Sequence, residues 1–167
     1  MVLRLARFFA EPDDSESVRC CFADTKAKAN EFLYRRVDLK DAALAPINAL
    51  FACEKRSFGR YVISATTPFQ RQHLVTLRIN PSAVLAALFP DFTAIYGAAG
   101  YCMFSDVDRL YVSHRARQAL VWVPQYDFGR VLTQIRDGGP IGSALAREVG
   151  ARGYHDQKFE QGHYPVS

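Results

Sequence analysis

An α+β fold is predicted by three features of the sequence. Strand-like and helix-like segments are interspersed without the regular βαβ alternation of a doubly wound sheet. No repeat, low-complexity tract or long linker divides the chain. Its 167 residues, 49% apolar and 23% charged, suffice for one core. A single domain over residues 1–167 is therefore expected, with Tyr154 to Ser167 as an irregular polar tail.

The elements follow in order. Val2 to Phe9 alternates imperfectly and reads as a strand, "EPDDSES" as a polar loop, and Val18 to Phe22 as a second strand. Asp24 is placed to cap a short helix through Lys26, Ala27 and Ala29, its carboxylate accepting from the open amides of a first turn. Phe32 to Val37 reads as extended. Asp41 to Cys53 has helical apolar spacing at Leu44, Ile47, Leu50 and Phe51, with Pro46 marking a restart or a kink. Arg60 to Ala65 predicts a strand, Pro68 to His73 a helical turn and Leu74 to Ile79 another strand. Asn80 caps a helix reaching Leu88, with Pro81 at its first position. "GAAG" breaks the chain at Gly97 to Gly100. Short strands are expected near Tyr101 to Phe104, Arg109 to Val112, Ala119 to Val123 and Arg130 to Ile135, then a helix over Ile141 to Val149.

Composition narrows the function classes. No apolar run approaches a membrane span, and the opening "MVLRLARFFAEPDD" lacks a signal-peptide core, so the cytoplasm is the expected compartment. The net charge of +4 is mildly basic but spread along the chain, which permits a nucleic-acid partner without pointing to one. Cys20, Cys21, Cys53 and Cys102 have no metal-ligand spacing and read as buried free thiols. His155, Asp156 and His163 form an acid–base or metal-like group in the tail that lacks a third ligand at fixed spacing. Arg109 and His114 match the spacing of a helical ribonuclease pair, but Leu110, Tyr111 and Val112 between them prefer strands.

Two candidate groups carry chemistry. Arg35, in "FLYRRVDL", offers a planar fork of donors suited to a phosphate, with Tyr34 beside it to stack on a ring. The alternative for Arg35 is an ion pair with Asp38 or Asp41. Ser64 and Thr66, in "YVISATT", share one strand face and can line a cleft or satisfy nearby backbone.

The order of these pieces resembles the ADP-ribosyltransferases, in the arginine–serine–glutamate branch that includes cholera and pertussis toxin-like enzymes. The resemblance spans Phe32 to Ile135. It rests on "LYRRVDLKDAAL", with Arg35 in the family arginine's place, on Ser64, Ala65 and Thr66 in the Ser-Thr-Ser element's place, and on the apparent strand–proline–strand of "RARQALVWVPQYDFGRVLTQI". It implies split mixed or antiparallel sheets around a cleft and NAD as cofactor, bound by Arg35, Tyr34, Ser64 and Thr66. It also implies transfer of ADP-ribose to a protein or nucleic-acid acceptor, or hydrolysis of NAD, by a bacterial-type toxin or effector acting in its own or a target cell's cytoplasm. Ser64 and Gln118 would hold the catalytic positions. The chain departs from the family where the catalytic glutamate belongs: no acidic residue lies between Arg109 and Gln125, and Arg117 and Gln118 stand there instead. Two other classes remain open, a non-enzymatic interaction protein of immunity or adaptor type and an RNA-binding or RNA-cleaving protein.

Overall fold

The computed structural model describes residues 1–8, 10, 12–13, 15–54 and 58–151. Strand β1 (Val2–Leu5) pairs in parallel with β2 (Arg60–Ile63), in a register that sets Val2 against Arg60 and Leu5 against Ile63. Helices α1 (Glu16–Cys21), α2 (Asp24–Glu31) and α3 (Leu39–Cys53) lie between the two strands in the chain. Beyond β2 the chain is helical: a 3-10 turn at Arg71–His73, then α4 (Leu74–Leu77), α5 (Pro81–Leu88), α6 (Phe92–Ala98), α7 (His114–Leu120), α8 (Phe128–Arg136) and α9 (Ala144–Val149). Helix and strand are thus mixed in one chain, as an α+β reading requires. Among the described residues the only sheet is this parallel pair, where the resemblance implies split mixed or antiparallel sheets.

Past Leu5 and Ile63 the two strands splay, and residues 35–37 slot between them. The Arg7 amide donates to the Arg35 carbonyl at 3.0 Å, the Val37 amide to the Arg7 carbonyl at 3.0 Å, and the Ala65 amide to the Arg36 carbonyl at 2.9 Å. One face of the pair is buried through Tyr61 and Ile63, while Val2, Arg4 and Arg60 leave the other open.

Two apolar clusters form the interior. The smaller gathers Val37, Ala42, Ala45, Ala49, Tyr61, Ile63, Leu120 and Trp122 between the sheet, α3 and α7. The larger gathers Leu33, Phe69, Leu77, Leu85, Phe92, Tyr96, Phe128 and Val131 among α2, α5, α6 and α8. Ring edges meet ring faces there, as at Phe22 and Phe104, 4.8 Å apart at 86°.

Several expected strands are helices, and the spacing of their buried residues explains each. In α8 the buried Phe128, Val131, Leu132 and Ile135 stand at i, i+3, i+4 and i+7, one helical face, although Arg130 to Ile135 reads as a strand by composition. Val18 and Phe22, four apart, pack on the larger cluster from α1 and its cap, which overturns the strand over Val18 to Phe22. Leu74 to Ile79 buries only Leu77, with Val75 and Ile79 exposed, so strand alternation fails and α4 forms. Of the run Phe32 to Val37 expected to be extended, Phe32 to Arg35 instead continue α2 through turns, the amides of Leu33, Tyr34, Arg35 and Arg36 folding back onto the carbonyls of Asn30 and Glu31. Only Arg36 and Val37 are strand-like, bridged to Arg7. Tyr101 to Phe104 and Arg109 to Val112 are irregular, and Ala119 to Val123 is the end of α7 and its exit. Asp24 is the first residue of α2 rather than its cap, and its carboxylate meets Lys28 one turn later at 2.5 Å.

At the start of α5, expectation and structure agree. The Asn80 side chain accepts from the Ala83 amide at 3.1 Å, with Pro81 opening α5. No described helix is long and apolar enough to cross a membrane. All four cysteines are free but exposed, not buried, because each lies at a helix end or in a loop, off the core-facing positions.

Candidate functional site

The site is organised by Asp38, which is buried at the start of α3. One carboxylate oxygen caps α3 by accepting from the Lys40 amide at 2.8 Å, and the other accepts from the Ser143 amide at 2.8 Å. That second bond ties the loop before α9 to the helix that carries Asp38. The same loop is clamped to α8 by Gln134, whose side chain donates to the Gly142 carbonyl at 3.0 Å and accepts from the Gly142 amide at 2.9 Å. Gly142 has φ +83, and a Cβ there would stand 3.1 Å from the Asp38 carboxylate. Glycine is therefore required on two counts, handedness and space. Ser143 then caps α9 by accepting from the Ala146 amide at 3.1 Å, and Arg147 donates to the Gly142 carbonyl at 3.0 Å.

This loop, the face of α2 and residues 36–39 enclose a cavity of about 900 Å³. Phe8, Phe32, Tyr101 and Ile141 give it apolar walls, and Lys28, Arg36 and Arg147 bring positive charge. Of its two carboxylates, Asp38 is consumed by backbone amides and Asp24 is paired with Lys28. Lys28 also donates to the Ala10 carbonyl. A concave, mostly apolar space with a few polar groups is the usual form of a small-molecule site. Its cations are engaged, Lys28 with Asp24, Arg36 with Glu31 and Arg147 with the Gly142 carbonyl, so an anionic group would bind by sharing or displacing these partners.

Behind the wall lies a compact ionic cluster. Glu31, 1% exposed, meets Arg36 at 2.7 Å and Arg35 at 2.8 Å. Asp13 meets Arg7 at 2.6 Å and Arg35 at 2.7 Å. Burial pulls the Asp13 carboxyl upward, but hydrogen bonding with Glu31 and from the Ser15 amide, with the charges of Arg7 and Arg35, outweighs it and holds Asp13 below its ordinary value. Burial alone would lower Arg35; Tyr34, Glu31 and Asp13 together raise it, so its charge is secure. Arg36 is driven down by burial against the pull of Glu31.

The sequence-derived candidates fall beside this cluster. Arg35 is ion-paired, but with Asp13 and Glu31 rather than with Asp38 or Asp41. Tyr34 is buried and lies 5.3 Å from the Arg35 guanidinium; burial first, then neighbouring carboxylates, push its hydroxyl up to about 12. Ser64 is buried and donates to the carbonyls of Ala65 and Tyr111 at 3.2 and 3.1 Å, a backbone-satisfying role. The Tyr111 amide donates in turn to the Tyr34 carbonyl at 2.8 Å, so Tyr34 and Ser64 sit on either side of one chain segment. Thr66 is half-buried, and Gln118 is exposed on α7. None of Tyr34, Arg35, Ser64, Thr66 and Gln118 lines this cavity. Arg109 pairs with its neighbour Asp108 at 2.5 Å in an irregular, exposed segment, and His114 opens α7. His155, Asp156 and His163 lie outside the described residues.

Among the described residues no group of three or more His, Cys, Asp or Glu side chains is placed to hold a metal ion. Asp38 reads from the sequence only as a partner for Arg35, and Lys28, Arg147 and the loop 138–142 carry no expected role. "DGGPIGS" held the signal that marks them, a proline among glycines directly before a serine-capped helix. No family model matches the chain, and neither a curated protein nor a solved structure matches it.

Proposed function

We propose that the chain is a small-molecule-binding α+β domain whose cavity takes a ligand with an anionic group and a flat or apolar body. The cavity built on the Asp38-tethered loop carries this reading. Its size falls within the usual range for such sites, roughly 300–1,000 Å³. NAD, the cofactor the family resemblance implies, has both chemistries and is the first ligand to try. ADP-ribose transfer or NAD hydrolysis would then be the accompanying reaction, with Asp24 as the cavity carboxylate once a bound anion draws Lys28 away from it.

Thermal denaturation with about 1 mM NAD, AMP or inorganic phosphate tests the proposal. At least one should raise the melting temperature saturably. Lys28→Ala and Arg147→Ala should each weaken that ligand by about tenfold or more, as loss of a charge-assisted contact does. A shift abolished by Arg35→Ala but kept by both cavity variants would move the site to the Arg35 side. No saturable shift with any of the three would overturn the reading. Nicotinamide release, followed on the same samples, reports whether binding leads to chemistry.

A further inference from the structure

Helix α3 is apolar on nearly every side. Of its residues only Lys40, Asp41 and Asn48 are polar, and two of them are used internally: Asp41 is fully buried, and Asn48 donates to the carbonyls of Leu120 and Val121. Its inward face buries Ala42, Ala45 and Ala49. The opposite face exposes Ala43, Pro46, Ile47, Leu50 and Phe51, an i, i+3, i+4, i+7, i+8 stripe without a charge, and Leu50 and Phe51 are each 72% exposed. A helix apolar all round belongs inside a protein, not at its surface.

A second observation falls beside the stripe. Val121, whose carbonyl Asn48 holds, has φ 48 and ψ 38 and is 83% exposed. A β-branched residue in the left-handed region is strained, and strain of this sort collects where a surface is used. Here it presents an apolar side chain next to α3, with Val123 exposed two residues on.

We infer that this face is a self-association surface, with α3 of one copy packing on α3 of a second copy about a two-fold axis. A charge-free stripe meets its own image without burying an unpaired ion, so it is self-complementary as an isologous contact requires. The area sets the strength. At about 150–200 Å² for a fully exposed large apolar side chain, the exposed fractions of Ile47, Leu50, Phe51 and Val121 amount to roughly 450 Å² per copy. Two copies would bury at most about 900 Å², below the roughly 1,200–2,000 Å² of stable contacts and within the range of transient ones, so the dimer should be weak and concentration-dependent.

Sedimentation equilibrium from about 5 to 500 μM tests this. The expected result is a monomer–dimer equilibrium within that range, weakened at least tenfold by Leu50→Glu and by Phe51→Glu. Both side chains are exposed, so both variants should keep the parent's circular dichroism and melting temperature at low concentration. A monomer throughout the range overturns the inference. A dimer unchanged by both substitutions also overturns it and places the contact elsewhere, for instance on the open edge of β1.

Discussion

Glu31 accepts from two arginines and lies within 3.4 Å of a third while almost wholly buried. Arg36, 5% exposed, has that carboxylate as its ionic partner. Breaking a buried pair strands a charge where water cannot reach it. Glu31→Gln should therefore cost about 3–5 kcal/mol in urea denaturation, far more than loss of an exposed ion pair such as Arg136 with Asp137. Asp13 behaves differently because its carboxyl is held below the ordinary value of 3.8. A depressed carboxyl contributes stability that is full above its unfolded pKa and is lost as pH falls through the folded one. Asp13→Asn should lower stability at pH 7, and the gap to the parent should close as the pH falls below about 4. Denaturation midpoints between neutral pH and pH 2.5 measure it. Arg35 illustrates what the sequence conceals at this scale. That an arginine here needs a carboxylate is legible; that the partners are Asp13 and Glu31 depends on α2 turning back at Phe32, which no local signal announces.

Elements terminate by chemistry that can be tested one residue at a time. Helix α7 ends with Val121 in the left-handed region, where an L residue pays about 1–2 kcal/mol that glycine does not. Val121→Gly should stabilise the monomer by about 1 kcal/mol net of glycine's greater flexibility, raising Tm by about 2–4 °C at low protein concentration. Gly142→Ala tests the opposite case. Its Cβ would press on the Asp38 carboxylate at a left-handed position, and a loss of about 1–2 kcal/mol is expected, with a weakened cavity. Legibility at this scale followed the kind of signal available. The Asn80–Pro81 start of α5 and the body of α3 were readable because capping and period are local. The β-branched composition of α8 favours a strand, but Phe128, Val131, Leu132 and Ile135 carry the helical period, and the spacing decides. The role of Asp41 was not legible: its carboxylate accepts from the Gln125 and Tyr126 amides, and its carbonyl from the Trp122 indole, 81 to 85 residues along the chain.

Over the whole molecule, mixed helix and strand in one chain was readable, but the sheet's direction was not, since parallel pairing leaves no turn in the sequence. The four cysteines supply a global check: a free, exposed set should react fully with a disulfide reagent in native buffer, and a count that reaches four only in denaturant would contradict the placement of their helices. The same parallel pairing has a kinetic side. Val2 finds Arg60 only after everything between them has closed into a loop, and that closure carries an entropic cost before a single ladder bond forms. From that cost we expect the amino-terminal strand to dock late and to come away early. When it leaves, α3 and α7 still cover Tyr61 and Ile63, but the backbone edge of β2 is opened to other molecules. In hydrogen exchange, the β1 amides should open far more readily than those of α8. Aggregation on mild heating should begin from that released edge, well before the helical core melts.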